Sequence, residues 1–479
     1  MSHITKIVSG AAVLILTLSA VDVRADDSGP LGHAAPIVFE NANESLGISG
    51  MSAGNAAWGD YNNDGWVDVT DGGNLWRNEG GRKFVKVQRA GPTDGSWIDF
   101  DNDGWLDYYA WQSGRLFRNK GDGTFEDVSD RIPERPMSNS RGAAWGDYNN
   151  DGYLDVYVGG YETPGYQPDA LYFSEEARAF KFIDLPHEKN RPARGVTAAD
   201  YDNDGDVDIY VSNYRLEPNL LWQNDGKGGF TDVGVQARVD GDKPLGAWGH
   251  TIGSSWGDLD NDGDIDLFAG NFSHPPAYQD RPKFYENLGA EQAYAFSDHQ
   301  LAGVRWQESY AHPALGDFDN DGYLDLFFTC VYSGDKPVLY RNNGNWTFSE
   351  VTGESKVHLS NTYQGAWADF DNDGDLDLLT GGVINRNSGN GHHWLKVKLD
   401  GGTAMNRDAI GAIARVHVGG HVIARHVEST TGEGNQNDMT LHFGLGRHDQ
   451  PVKMIITWPN GDEQEITTPV DRLVKVTHE

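Results

Sequence analysis

Cysteine is almost absent: among 479 residues only Cys330 is present. No internal disulfide is possible, so a chain of this length must be braced by other means. Cys330 lies in the apolar stretch 326–331, the setting of a packed thiol rather than a nucleophile. Long hydrophobic runs are equally scarce. One, from Ile7 to about Val21, follows Lys6 and leads to Val23-Arg24-Ala25 and then Asp26-Asp27. It falls short of the roughly 20 residues a spanning helix needs. Residues 1–25 are therefore expected to be a signal peptide, cleaved after Ala25 or after Ala20, and the mature chain to be secreted, periplasmic or extracellular, with no membrane span.

Positive charge is also in deficit. With 38 Lys and Arg against 72 Asp and Glu the net charge is −34, which repels phosphate and excludes nucleic acid as an expected partner. Familiar catalytic signatures are missing: there is no Gly-x-Ser-x-Gly, no His pair at metal-ligand spacing on a helix and no phosphate-cradling glycine loop.

What the sequence does have is one nine-residue pattern written seven times, Asp-x-(Asp/Asn)-x-Asp-Gly-x-x-Asp. Its first positions are Asp60, Asp99, Asp147, Asp200, Asp258, Asp317 and Asp369; its third are Asn62, Asp101, Asn149, Asp202, Asp260, Asp319 and Asp371. The fifth are Asp64, Asp103, Asp151, Asp204, Asp262, Asp321 and Asp373, and the ninth Asp68, Asp107, Asp155, Asp208, Asp266, Asp325 and Asp377. Calcium takes six to eight hard oxygens in forgiving geometry, and alternate carboxylates converge when such a loop coils around an ion. Glycine at the sixth position allows the sharp turn, and Asp at the ninth closes the cage. An Asp/Asn/Gly turn cluster without metal is the competing reading. Seven copies with all key positions kept argue against it, and no Cys/His spacing accompanies the loops to suggest zinc. Up to seven Ca²⁺ are expected, and much of the acidity is ligand inventory.

Successive copies start 39, 48, 53, 58, 59 and 52 residues apart, a propeller or solenoid spacing. Trp58, Trp97, Trp145, Trp256 and Trp367 stand two residues ahead of the first Asp, where Ala198 and Leu315 depart from the rule. An apolar run follows each loop, then a third run ending in Asn, such as Leu116–Asn119, then a Phe-led fourth, such as Phe125–Val128. Four strands per unit, seven units and no helical periodicity predict an all-β, seven-bladed propeller. The seventh unit lacks its Phe-led strand, and the segment opening at Phe39 supplies one, so the N-terminal strand is expected to close the ring.

Residues 37–390 thus resemble the FG-GAP/VCBS repeat family, whose propellers are typified by the integrin α-subunit head. Residues 392–479 resemble the ASPIC/UnbV domain that follows such repeats in cartilage acidic proteins and bacterial secreted proteins. The resemblance rests on Trp394–Leu399, Asn406–Ala412, Leu441–Gly446 and Ile456–Gly461. Alternating apolar residues there predict a small β-sandwich, with Arg407 and Asp408 bracing a turn.

The resemblance implies that the aspartate loops share one rim. The opposite rim then carries long connections rich in aromatic and cationic residues, and Arg141, Tyr161, Arg194, Tyr214, Arg215, His250, His274, His312, Tyr332 and Tyr363 are candidates for a ligand site at its mouth. Such a lining suits an anionic or sugar-like ligand. The expected function is a secreted, calcium-stabilised binding or adhesion-type module for an extracellular protein or glycan. The alternative is a secreted polysaccharide lyase or hydrolase with its site at the same mouth.

Overall fold

The computed structural model describes residues 36–87, 94–137, 139–186, 189–241, 248–273 and 281–478. The signal-peptide expectation and His274 lie outside them. Each aspartate loop joins two antiparallel strands, as in Ser96–Ile98 and Asp107–Ala110, and two more strands add outward, Arg115–Asn119 and Phe125–Asp127. Burial fades along that order. The first two strands are wholly buried while the fourth is mostly exposed, because inner strands are covered on both faces by neighbouring sheets.

Six four-stranded sheets arise this way, within residues 57–87, 96–127, 140–183, 193–232, 250–298 and 310–350 (blades one to six). Blade seven combines Ala366–Ala368, Asp377–Thr380 and Val383–Asn387 with the N-terminal Phe39–Asn41, which pairs antiparallel with Val383–Asn387, Phe39 opposite Asn387. The ring is closed as expected. Among the described residues no helix is long and apolar enough to cross a membrane.

The motif tryptophans fill the seams between blades. Trp58, Trp97, Trp145, Trp256 and Trp367 are all buried, and the indole N–H groups of Trp97 and Trp367 donate to Ala57 and Ala314 carbonyls of the preceding blades, both at 3.2 Å. In blade four, where Ala198 replaces the indole, Trp222 of the third strand joins the same apolar cluster.

Beyond Asn387 the chain forms two packed sheets. One holds His393–Asp400 between Leu441–Gly446 and Arg472–Thr477; the other runs His421–His426, Ile413–Val418, Val452–Thr457, Glu463–Thr468. This sandwich does not stand apart. Its core residues Leu395, Val397, Ile410, Phe443 and Trp458 share one apolar cluster with Ile98, Tyr109, Trp145 and Val156 of blades two and three.

Candidate functional site

The aspartate loops are built alike. The first-position carboxylate accepts the N–H groups of the fifth and sixth residues, at 3.0 and 2.7 Å for Asp99 with Asp103 and Gly104. The ninth-position carboxylate ties the loop to the blade. Asp107 accepts from Phe100 N–H at 3.2 Å and from Asn119 N–H of the third strand at 2.7 Å. One oxygen of the third-position carboxylate is left over: in Asp101, Asp202, Asp260, Asp319 and Asp371 it is buried with no hydrogen-bond partner. Three carboxylates converge in each of these five loops, with ligand oxygens within 4.8 Å of one another. Burial and mutual repulsion push Asp99 up to about 8 and Asp200 to about 7, while Asp208, Asp325 and Asp377 rise well above the carboxylate range. Several buried Asp clusters can therefore hold metal ions, and each orphaned oxygen fits a cation where a proton donor is lacking. In blades one and three Asn62 and Asn149 bring neutral amides to the third position.

Two recurring asparagine sets tie neighbouring loops together. The fourth position is Asn in every copy, always left-handed with φ between 54° and 61°. Asn63 donates to Gly104 carbonyl (2.7 Å), Asn102 to Gly152 (2.9 Å) and Asn372 to Gly65 (3.1 Å), so these loops link to the next and blade seven links back to blade one; Asn261 of blade five is the exception, its amide buried without a hydrogen-bond partner. The third-strand Asn reaches backwards: Asn119 donates to Tyr61 carbonyl (2.8 Å), Asn287 to Tyr201 (2.8 Å) and Asn387 to Phe318 (2.7 Å). The invariance of the fourth-position Asn, and the recurrence of the third-strand Asn in every blade but the third, where Ser174 stands, were the available signal. Asn372→Gly keeps the backbone conformation and loses the bond, whereas Asn372→Ala also strains φ. We expect Ala to cost about 1 kcal/mol more than Gly in thermal melts, since non-glycine residues pay roughly that in the left-handed region.

The sandwich docks on this same rim. Lys396 Nζ donates to Asp369 at 2.9 Å, Ala424 N–H to Asp258 at 2.8 Å, and Gly444 N–H to Asp317 at 3.1 Å, so it grips first-position carboxylates of blades five to seven. At blade two Asp99 N–H donates to Asp408 at 2.6 Å and Arg407 N–H to Asn102 at 2.9 Å. The expected turn brace is Arg407 with Asp400 (3.6 Å); Asp408 serves docking instead.

From the sandwich, residues 429–437 enter the central channel and bond to the inner edge of every blade. Ser429 and Trp145, Thr430 and Val196, Thr431 and Ser255, Glu433 N–H and His312, Asn435 and Ala56, Gln436 and Trp97, Asn437 and Trp367 are the pairs, at 2.8 to 3.2 Å. Sequence reading passed over this segment. A run of nine polar and glycine residues between two apolar strands was the only hint.

The segment's tip reaches the opposite mouth, where the candidate residues begin first strands or follow second strands. Glu433, 2% exposed, lies 3.4 Å from Arg194, itself 7% exposed. The Arg194 and Arg141 guanidiniums lie over the Tyr161 ring at 5.2 and 5.1 Å, and Arg194 also over Tyr214 at 4.9 Å. Tyr161 O–H accepts from Arg194 at 3.0 Å. Arg215 stacks on Tyr214 at 4.8 Å and pairs with Glu162. His250 packs edge-on to Tyr214, and Tyr332 beside Phe272 stays 39% exposed. Tyr363 is half-buried, its hydroxyl raised to about 12 by burial and the Glu433 charge. His312 is the exception. It is buried, its Nδ1 accepts Glu433 N–H (3.1 Å), its Nε2 donates to Gly365 carbonyl (2.8 Å), and burial pushes it down to about 3. With both nitrogens engaged inside the fold, His312 leaves the ligand set.

Between sandwich and blades five to seven a cavity of about 90 Å³ is lined by Trp256, Leu315, Trp367, Met439, His426 and Glu428. Burial raises Glu428 from 4.5 to about 8. A carboxyl raised in the fold stabilises it fully below the unfolded value, and that stability is lost as pH rises from about 4.5 through about 8. Glu428→Gln should therefore leave stability at pH 4 unchanged and raise it on the order of 2–4 kcal/mol at pH 9 in denaturant titrations.

The FG-GAP-like repeat family matches residues 99–158, 200–269, 258–328 and 317–380, and the ASPIC and UnbV family residues 402–479. Cartilage acidic protein 1 of Mus musculus is 27% identical over 297 residues, 57% of this chain and 43% of its own length. That of Xenopus tropicalis is 25% identical over 384 residues, 72% and 56%. The chain spans about half the length of these curated relatives. Among solved structures, an Agrocybe aegerita lectin specific for non-reducing terminal N-acetylglucosamine aligns with TM-score 0.43 and 16% identity, over 74% of this chain and 93% of its own. The α-L-arabinofuranosidase Arb93A of Fusarium graminearum aligns with TM-score 0.37 and 12% identity, over 74% and 98%. The repeats, their aspartate loops and the C-terminal sandwich together place the chain in the FG-GAP-like repeat family, in the architecture that ends in an ASPIC and UnbV domain.

Proposed function

We propose that this chain is an extracellular calcium-braced propeller that binds a glycan through the mouth opposite its metal loops. Calcium is favoured because every donor in the loops is oxygen and the ligands are carboxylates, amides and backbone, a hard set. Extracellular placement is supported by the signal-like residues 1–25 and by a bracing scheme built on calcium, plentiful outside the cell, rather than on disulfides. The role of calcium is structural: each loop ties the first two strands of its blade to the third, and the sandwich grips the first-position carboxylates of blades five to seven.

The observation that carries the binding reading is the guanidinium–tyrosine cluster of Arg141, Tyr161, Arg194 and Tyr214 in a chain of net charge −34. Exposed Tyr166, Tyr332 and Trp306 on neighbouring loops of that rim offer faces on which sugar rings stack. The lyase or hydrolase reading loses His312 as an acid or base, since neither ring nitrogen can reach a substrate. The test is an array of extracellular glycans probed in calcium with the wild type and with Arg141→Glu/Tyr332→Ala. We expect specific retention by the wild type and its loss in the double variant at unchanged melting temperature. Retention that survives both changes would place the site elsewhere and sink the reading.

A further inference from the structure

We infer that Glu433 sets the ligand class of the mouth: as an internal carboxylate it occupies Arg194 and leaves Arg141 as the single guanidinium for the partner, which selects a sugar carrying one carboxylate, a uronic acid. The inference rests on the reading of the mouth as the binding site and asks what that site selects.

Three guanidiniums gather there, and two are spoken for. Arg215 pairs with Glu162, and Arg194 faces Glu433 at 3.4 Å. Arg141 makes no ion pair within 4 Å among the described residues, the charges of Asp94 and Glu433 reaching it only from farther off, and its Nε, though buried, has no hydrogen-bond partner. Both Glu433 oxygens likewise accept no hydrogen bond. An isolated carboxylate so enclosed costs several kcal/mol unless its charge is used; here Glu433 lies within ion-pair distance of Arg194 and acts on Arg141 only from farther off. The position is imposed by the scaffold. Backbone bonds hold the tip on either side: Gly432 N–H donates to Ser254 carbonyl at 2.7 Å, Glu433 N–H to His312 at 3.1 Å, and Asn55 Nδ2 to the Glu433 carbonyl. A Cβ at Gly432 would meet His312 Nδ1 at 1.5 Å, so the tip cannot be rebuilt with a larger residue there.

One unpaired guanidinium beside exposed aromatic rings recognises a planar carboxylate on a ring that stacks, by charge-assisted hydrogen bonds on one side and CH–π contact on the other. A polyanion with several charges per residue finds Glu433 and Glu162 in its way; a neutral glycan leaves Arg141 unused. The uronic acid chain satisfies both features.

The experiment measures binding of an oligogalacturonate, a neutral oligosaccharide of equal length and a polyglutamate peptide by calorimetry in calcium, to the full chain and three variants. Glu433→Gln frees Arg194 and should bind the oligogalacturonate at least tenfold tighter, with a steeper salt dependence. Arg141→Gln should bind it at least tenfold more weakly. Arg194→Gln, which leaves Glu433 facing Arg141 alone, should also weaken binding, although Arg194 does not contact the ligand; this arm keeps the inference testable if Glu433→Gln does not fold. Wild-type binding that Glu433→Gln and Arg194→Gln leave within twofold while Arg141→Gln abolishes it overturns the role of Glu433 and keeps the mouth. Binding untouched by all three variants overturns the mouth as well. Equal or tighter binding of polyglutamate or of the neutral oligosaccharide overturns the uronic acid.

Discussion

Chelation of calcium should lower the melting temperature by at least about 15 °C and return it on readdition. Each ion that binds only the native state contributes RT ln(1 + [L]/Kd), about 2.7 kcal/mol at a hundredfold excess over Kd. Five all-carboxylate loops and two with an amide at the third position share the effect. For a domain of a few hundred residues about 1 kcal/mol corresponds to 2–4 °C, so even a fraction of the loops suffices. The metal-free state is costly in a second way. Asp107, Asp208, Asp266, Asp325 and Asp377 are buried and pushed far up by desolvation and by the carboxylates around them, so without a cation they either take up protons or repel. A single change, Asp103→Ala, should remove one ion and shift the melt by only a few degrees, because the other six blades keep their loops. Calorimetric melts with and without chelator, alongside elemental analysis, check both. A melt unmoved by chelator, or fewer than about three calcium ions per folded chain, would contradict the bracing role.

Much of this was legible from residues alone, for a physical reason: a repeat presents the same local chemistry many times, so chance matches cancel. Strand order, ring closure by Phe39–Asn41 and the convergence of the third- and ninth-position aspartates all follow from spacing within a unit. What was not legible is what happens once. The Glu433 tip, the docking of Asp408 on Asp99 and the engagement of His312 join residues 121 to 309 positions apart in sequence, and no periodicity announces such contacts. The asparagines fall between. Asn63, Asn102 and Asn372 recur at the fourth position, but an unconstrained position in a metal pattern reads as a spacer until its left-handed φ and its bond to the next loop are seen.

Replacing Gln436 by Leu should unfold the architecture further than any single aspartate change, because Gln436 completes a backbone pair that has no other partner. Its Oε1 accepts Trp97 N–H at 2.8 Å and its Nε2 donates to Trp97 carbonyl at 2.9 Å, while its own carbonyl accepts Trp58 N–H at 3.2 Å. The first strand of blade two lies on the channel wall, where it has a sheet partner on one side only. The side-chain amide acts as the missing strand on the other. Leucine of similar length leaves one buried N–H and one buried carbonyl unpaired, at about 1–3 kcal/mol each, and adds an apolar group among them. A loss of about 2–6 kcal/mol is the expected result, read as a fall in the denaturant midpoint with unchanged calcium content. Gln436→Glu discriminates the mechanism. It keeps the acceptor for Trp97 N–H, and its protonated carboxyl supplies an O–H donor for the Trp97 carbonyl, so it should cost little at low pH and much more at neutral pH, where the donor is lost and a charge is buried facing a carbonyl. If leucine is tolerated within about 0.5 kcal/mol, the channel segment is a passenger, and the sandwich is held to the propeller by its rim contacts alone.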